Sequence, residues 1–374
     1  MRSKTVCFAI LFSFVLGQEG WAQGNGCFRA PVSYATGTSP SMVLIGDFNN
    51  DGNSDFAVSY QGACESGPGV DVFLGNGHGR FRRQIISQID ADPYAFAIGD
   101  FNGDGILDIA AALGGCGGAP HQLEVALGNG DGTFQPHQTY SSGMEPEGVA
   151  VGDFDGDGKI DLVVNSSDNQ YLWLGNGDGT FRLGATYPTI GSDFSLYSAD
   201  MNLDGKLDLV NQGYIPNQII VEVGNGDGTF DSPFTYKITG LTSQYAIADV
   251  NGDRFPDVMT ADGANVRVYI GNGDGSLTHT QSYPLSRSSS VTVGDLTGDG
   301  IPDLLVTRSS KTQNVALMVG VGDGTFSAPV LENTGSYAGE TALADWNHDG
   351  FLDAVAVDFV KGKVNILLNT GTCP

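Results

Sequence analysis

The sequence predicts an all-β chain folded as a seven-bladed β-propeller of four-stranded antiparallel blades, and three observations carry that expectation. Seven nine-residue acidic segments recur at intervals of 53, 53, 47, 49, 46 and 50 residues. Each of the first six is followed by a glycine-rich second segment, "GNGHGRF", "GNGDGTF" three times, "GNGDGSL" and "GVGDGTF". Between them lie short Val/Ile/Leu/Phe runs, and 55 of the 374 residues are Gly, a composition of many short strands and tight turns. A period near 50 with room for four strands per unit is that of a propeller blade.

The acidic segments read "DFNNDGNSD", "DFNGDGILD", "DFDGDGKID", "DMNLDGKLD", "DVNGDRFPD", "DLTGDGIPD" and "DWNHDGFLD". Asp stands at positions 1, 5 and 9 of all seven, which a turn alone does not require. An oxygen-rich loop of this kind suits calcium, which takes six to eight oxygen ligands. The side-chain ligands expected at positions 1, 3, 5 and 9 are Asp47, Asn49, Asp51 and Asp55 in the first loop, and Asp100, Asn102, Asp104 and Asp108 in the second. In the third they are Asp153, Asp155, Asp157 and Asp161, with the Lys159 carbonyl as a further donor. The fourth offers Asp200, Asn202, Asp204 and Asp208, the fifth Asp249, Asn251, Asp253 and Asp257. The sixth and seventh offer Asp295, Thr297, Asp299 and Asp303, then Asp345, Asn347, Asp349 and Asp353. Glycine at position 6 permits the sharp turn. The fifth loop has Arg254 there and the sixth has Thr297 at position 3, so these two sites are expected to be weak or empty. The opening resembles an EF-hand loop, but that loop runs 12 residues between helices. Here the flanks, "GVAV" and "LVVN", are β-type, so the loop is expected to join two strands.

In the third unit "EGVAV" reads as strand A, "DLVVN" as B, "YLWLG" as C and "FRLGATY" as D. Asn-Gly and Asp-Gly make "GNGDGTF" a hairpin turn between C and D, and its Phe, such as Phe134 or Phe181, is expected to pack between blades. The residue before each loop is small, Gly46, Gly99, Gly152, Ala199, Ala248, Gly294 or Ala344, as expected where seven inner strands crowd an axis. The stretch "FRAPVSY", residues 28–34, has the strand D pattern yet precedes the first strand A, while the last unit lacks a strand D. The N-terminal strand is therefore expected to complete the seventh blade and close the ring.

On these loops, over roughly residues 25–374, the chain resembles the FG-GAP or VCBS repeats, related to the seven-bladed propeller of integrin alpha subunits. The resemblance implies that the calcium loops join strands A and B on one face. It also implies that ligands approach the opposite face, through the B to C and D to A loops.

Residues 1–23 read as a secretory signal, with Arg2 and Lys4, an apolar run from Val6 to Leu16 and a small-residue pattern at Gly20 and Ala22. Residues 24–374 then form the propeller, and secretion or a periplasmic location is expected, with no membrane span. Cys27, Cys64, Cys116 and Cys373 remain, and disulfides are expected. A Cys27–Cys373 bond would lock the ring, and Cys64 and Cys116, in equivalent B to C loops, would pair with each other. A net charge of −26 repels phosphate and excludes a nucleic-acid groove. No HExxH, GxSxG or GxxxxGK motif occurs. The expected function is a monomeric binding or adhesion module for a protein or glycan, with a hydrolase, carbohydrate-active for instance, on the same scaffold as the alternative. Uniform turns give little specificity, whereas the loops at 60–69, 112–122, 211–218 and 307–314 differ in every blade. Tyr60, Tyr94, His121 and Tyr214 are the candidate ligand contacts there.

Overall fold

The computed structural model describes residues 26–60, 69–86, 89, 93–114, 121–189, 195–214, 217–238, 240, 244–335 and 337–373, and none of these is helical. They form seven separate four-stranded antiparallel sheets. The third blade shows the plan: strands Pro146–Gly152, Asp161–Ser166, Asn169–Gly175 and Phe181–Pro188 pair in sequence order as A, B, C and D. The pair Gly152↔Asp161 closes the A–B hairpin and leaves the acidic loop as its connection.

Strand B is buried along its whole length in blades 1, 2, 3 and 7. Both faces of each sheet are covered by neighbouring blades, which is why strand B reads as a continuous apolar run and not as an alternation. Strand D, on the outer edge, is largely exposed, as in Phe181–Pro188. The core is correspondingly divided. Among the described residues it consists of apolar clusters set in the seams between adjacent blades, for example Phe48, Ile109 and Phe134 between blades 1 and 2, and Met201, Val258 and Tyr269 between blades 4 and 5. Each seam removes large side chains from water at about 25 cal/mol per Å² of apolar surface, so stability is spread around the ring.

The Phe of the glycine-rich turn packs as expected. Phe134 meets Phe48 of the preceding blade edge to face at 6.2 Å between ring centroids, and Phe181 meets Phe101 at 5.6 Å. The small residue before each loop has a different cause from the one anticipated. A Cβ at Gly46 would collide with the Leu107 side chain of the next blade, and one at Gly152 with Leu207. At Gly46, Gly152 and Gly294 the collision is with position 8 of the next loop, while at Gly99 it is with Phe101 of its own loop and Val151 of the next inner strand.

The N-terminal strand Val32–Ala35 pairs antiparallel with Lys363–Leu367, the last strand of the chain, from Val32↔Ile366 to Ala35↔Lys363. The seventh blade is thus assembled from both ends of the propeller, in the order Val32–Ala35, Lys363–Leu367, Asp353–Asp358, Thr341–Ala344. The seam is extended by a Phe28↔Asn369 bridge and by the Thr370 N–H, which donates to the Cys27 carbonyl at 2.8 Å. A Cys27–Cys373 disulfide then joins residues 346 apart in sequence. Cys64 and Cys116 lie outside the described residues.

Removing this bond with Cys27→Ser and Cys373→Ser should destabilise the protein by about 2 to 4 kcal/mol in chemical denaturation. Peptide mapping without reduction should recover a Cys27–Cys373 peptide, and a Cys27–Cys64 peptide would contradict this closure.

Candidate metal centre and recognition face

In each acidic loop the position 1 carboxylate accepts N–H groups from the loop's own backbone. The Gly156, Asp157 and Gly158 N–H groups donate to Asp153 at 2.8, 3.1 and 2.9 Å. The position 5 carboxylate accepts the position 7 N–H, as Asp157 does from Lys159 at 2.9 Å. Such a turn needs left-handed backbone at position 6, supplied by Gly52, Gly105, Gly158, Gly205, Gly300 and Gly350. Arg254 takes the same conformation at φ 81°, and its N–H still donates to Asp249 at 2.7 Å. The fifth loop therefore keeps the shape of the others in spite of its arginine.

Position 4 is also left-handed in every loop, at Asn50, Gly103, Gly156, Leu203, Gly252, Gly298 and His348. Sequence reasoning missed this second requirement. Its trace is the Gly or Asn found there in five of the seven loops.

Position 9 behaves unlike the rest. Asp55, Asp108, Asp161, Asp208, Asp257, Asp303 and Asp353 are all fully buried. One Asp161 oxygen accepts the Phe154 N–H at 3.0 Å and the other accepts the Gly175 N–H, at the end of strand C, at 2.8 Å. The same pair of bonds recurs in all seven blades, for instance from Phe48 and Gly75 to Asp55 and from Trp346 and Asn369 to Asp353. Burial pushes these carboxyls up, to about 6 for Asp55, Asp108, Asp161, Asp208 and Asp257 and to about 7 for Asp353, against the pull of the backbone N–H donors. Nearby position 1 and position 5 carboxylates raise them further.

These oxygens fit a hard divalent cation. In the third loop, carboxylate oxygens of Asp153, Asp155 and Asp161 all lie within 4.8 Å of one another. The other loops hold Asn or Thr at position 3, so their oxygen sets are less acidic, and the Asn side chains are placed alike. In the second loop the Asn102 side-chain oxygen accepts the Asp104 N–H at 2.9 Å, as Asp155 accepts that of Asp157 at 3.1 Å.

The loops also grip the next blade. The Gly132, Gly179, Gly228 and Gly324 N–H groups, in the C–D turns of blades 2, 3, 4 and 6, donate to the position 2 carbonyls of Phe48, Phe101, Phe154 and Val250, one blade back. The Gly79 N–H of blade 1 makes the same bond across the chain ends, onto Trp346 of blade 7 at 2.9 Å. The A–B and C–D turns therefore share one face.

The opposite face receives the anticipated ligand candidates unevenly. Tyr94, at the start of the blade 2 strand A, is 44% exposed, and its ring lies over Gly114. His121 stands half-buried at the entry to strand Gln122–Ala126 of the same blade. Tyr60 is a correction: it is only 9% exposed, with its ring packed on Gly37, and offers little surface to a ligand. Tyr214 ends strand Asp208–Tyr214, and its side chain lies outside the described residues, as do most of the loops at 60–69 and 112–122. The reading missed Phe359 and Val360, 45% and 54% exposed at the tip of the last B–C hairpin, with Tyr337 6.1 Å from Phe359. Their sequence signal is an apolar pair inside a turn, "DFVKGK".

The model of the FG-GAP-like repeat matches residues 47–111, 113–164, 153–211, 249–306 and 295–356, and the chain belongs to this family of β-propellers. No curated protein matches it. Among solved structures it is similar to an Agrocybe aegerita lectin recognising non-reducing terminal N-acetylglucosamine. That match has 19% identity and a TM-score of 0.55 over 86% of each chain. It is also similar to BBS1N in complex with ARL6DN, at 11% identity and a TM-score of 0.64 over 93% of this chain and 98% of that one. At these identities the likeness shows the fold alone.

Two substitutions separate the loop's structural and ionic roles. Asp161→Ala leaves two buried N–H groups without an acceptor and should cost about 3 to 5 kcal/mol already in chelator. Asp155→Ala should cost little in chelator and show its effect only with calcium present. Arg254→Gly should stabilise the protein by about 1 kcal/mol, measured by urea denaturation, because it relieves a left-handed non-glycine residue.

Proposed function

We propose that the protein is a calcium-stabilised binding module, secreted or periplasmic, that recognises a protein or glycan through the face away from its acidic loops. The observation that carries this reading is the division of labour between the two faces. One face is nearly identical from blade to blade and committed to holding hairpins and seams. The other carries irregular loops with exposed Tyr94, Phe359 and Val360, the kind of aromatic and apolar side chains that anchor contacts.

Calcium is the ion we assign to the loops, up to seven in number, at positions 1, 3, 5 and 9, with the fifth and sixth sites the weakest. Without it each loop gathers three or four carboxylates that oppose one another. Bound to the folded state alone, it stabilises by about 2.7 kcal/mol per site at 100 times its dissociation constant. The disulfide between Cys27 and Cys373 supports residence in an oxidising compartment, and no helix among the described residues is long and apolar enough to cross a membrane.

Chelation should lower the melting temperature by many degrees, with calcium restoring it and magnesium doing so poorly, since magnesium demands a stricter octahedral shell. An unchanged melting curve in excess chelator would overturn the assignment. For recognition, calcium-loaded protein is screened on glycan and matrix-protein arrays. Tyr94→Ala and Phe359→Ala should then weaken the binding found by tenfold or more without changing the melting temperature. Loss of binding only with calcium-face substitutions in folded protein would place recognition on the wrong side.

A further inference from the structure

Five seams between blades are filled in the same way. The strand D pattern places a Tyr six residues after its first aromatic or Leu, giving Tyr34, Tyr140, Tyr187, Tyr236 and Tyr283. Each ring crosses to the next blade. The Tyr34, Tyr140, Tyr236 and Tyr283 hydroxyls accept the N–H of the residue that opens the next strand D, Phe81, Phe181, Leu277 and Phe326, at 3.2, 3.1, 2.7 and 2.8 Å. Tyr187 instead donates to the Gly228 carbonyl.

Blade 6 departs from this rule. Six residues after Phe326 stands Glu332. Its carboxylate does the polar part of the tyrosine's work, accepting the Cys27 N–H at 2.7 Å beside Phe28, the residue equivalent to those strand D openers. It does not supply the ring. Beside Glu332 the seam between blades 6 and 7 holds an open cleft of about 530 Å³, lined by Phe28 and Leu367.

We infer that this cleft is a binding site for a neutral polyhydroxylated ring, the terminal sugar of a glycan. The volume lies within the range of small-molecule sites, roughly 300 to 1,000 Å³. Arg29 and Glu332 line the same cleft, so neither an anion nor a cation meets a wall of one opposite sign. Glu332 is in any case committed to backbone N–H groups. A wholly apolar ligand would strip water from Arg29, Gln313 and Asn333 without replacing their hydrogen bonds, which is costly. A pyranose ring answers both conditions, because its hydroxyls meet those three side chains while its C–H face rests on Val330, which is 39% exposed. The site lies on the outer seam and reaches the edge of the loop face proposed above through Gln313 and residues 333–335, and it rests on and deepens the reading of the protein as a binding module by naming one ligand class.

The test restores the missing tyrosine. Calcium-loaded protein is titrated with a panel of neutral mono- and disaccharides, followed by saturation-transfer NMR. Wild type should bind at least one of them. Glu332→Tyr should lose that binding by tenfold or more while keeping the melting temperature, since the same ring is accommodated at five other seams. Val330→Trp, which plugs the cleft from its exposed side, should do the same and serves where Glu332→Tyr does not fold. Binding that survives both substitutions in folded protein would overturn the cleft, as would a panel in which nothing binds or only charged sugars bind. A protein partner captured on the loop face in that last case would leave the binding-module reading standing while this site falls.

Discussion

A carboxylate buried in every blade, hydrogen-bonded at both oxygens to backbone N–H groups, is the constraint on which the rest of this ring is built. Asp161, the last residue of the acidic loop and the first of strand B, ties the start of that loop and the end of strand C to one carboxylate. Its burial raises its pKa to about 6, so the geometry is held against a desolvation cost. Such a group is stable in place only if its partners are fixed, and removing it strands two buried donors. The loop, the hairpin and the blade edge therefore form together or not at all. An ion bound by the carboxylates of the same loop would add attraction where they otherwise repel one another. It does so at one end of a strut that already reaches across the sheet.

Much of this was legible in the sequence because each local decision is repeated seven times. Asp at positions 1, 5 and 9, Asn-Gly and Asp-Gly at the C–D turn and an orphan strand pattern at residues 28–34 are signals that depend on neighbouring residues only. Repetition separates them from chance. The strand order and the closure of the ring follow from them. What was not legible depends on contacts between residues distant in sequence. Asp161 reads only as an ion ligand until strand C is folded over it and the Gly175 N–H reaches it. Tyr60 looks like a loop aromatic until Gly37 is seen beneath its ring. The left-handed backbone at position 4 was concealed by Leu203 and His348, whose side chains give no hint of it.

Departures from the repeat carry the individuality of the protein. Arg254 keeps the loop's hydrogen bonds in a conformation that an L side chain resists, so the fold overrides local preference there. Glu332 keeps a seam's hydrogen bond and gives up its ring, leaving a cleft. In both cases the backbone interaction is retained and the side chain is free to differ. A scaffold that is over-determined at its polar contacts tolerates such changes, and recognition can then be placed where the repeat is broken.

The C–D turns explain why a bound ion would act beyond its own hairpin. The Gly228 N–H reaches the Phe154 carbonyl at 2.9 Å, and the Phe154 N–H is held by Asp161. One peptide of the acidic loop is thus pinned on one side by its own blade and on the other by the next blade's turn. Fixing the loop fixes the acceptor for that turn, and the following Phe230 packs back on Phe154 at 6.1 Å. The relation repeats from blade 7 onto blade 1 through Trp346, Gly79 and Phe81, whose ring lies 5.5 Å from Trp346. That step crosses the point where the chain ends meet, so the closure is held by a hydrogen bond and ring packing at the acidic-loop face as well as covalently by Cys27–Cys373. Ordering one loop favours the order of the blade whose turn it holds, so loops joined in this way are coupled and do not act as independent clasps.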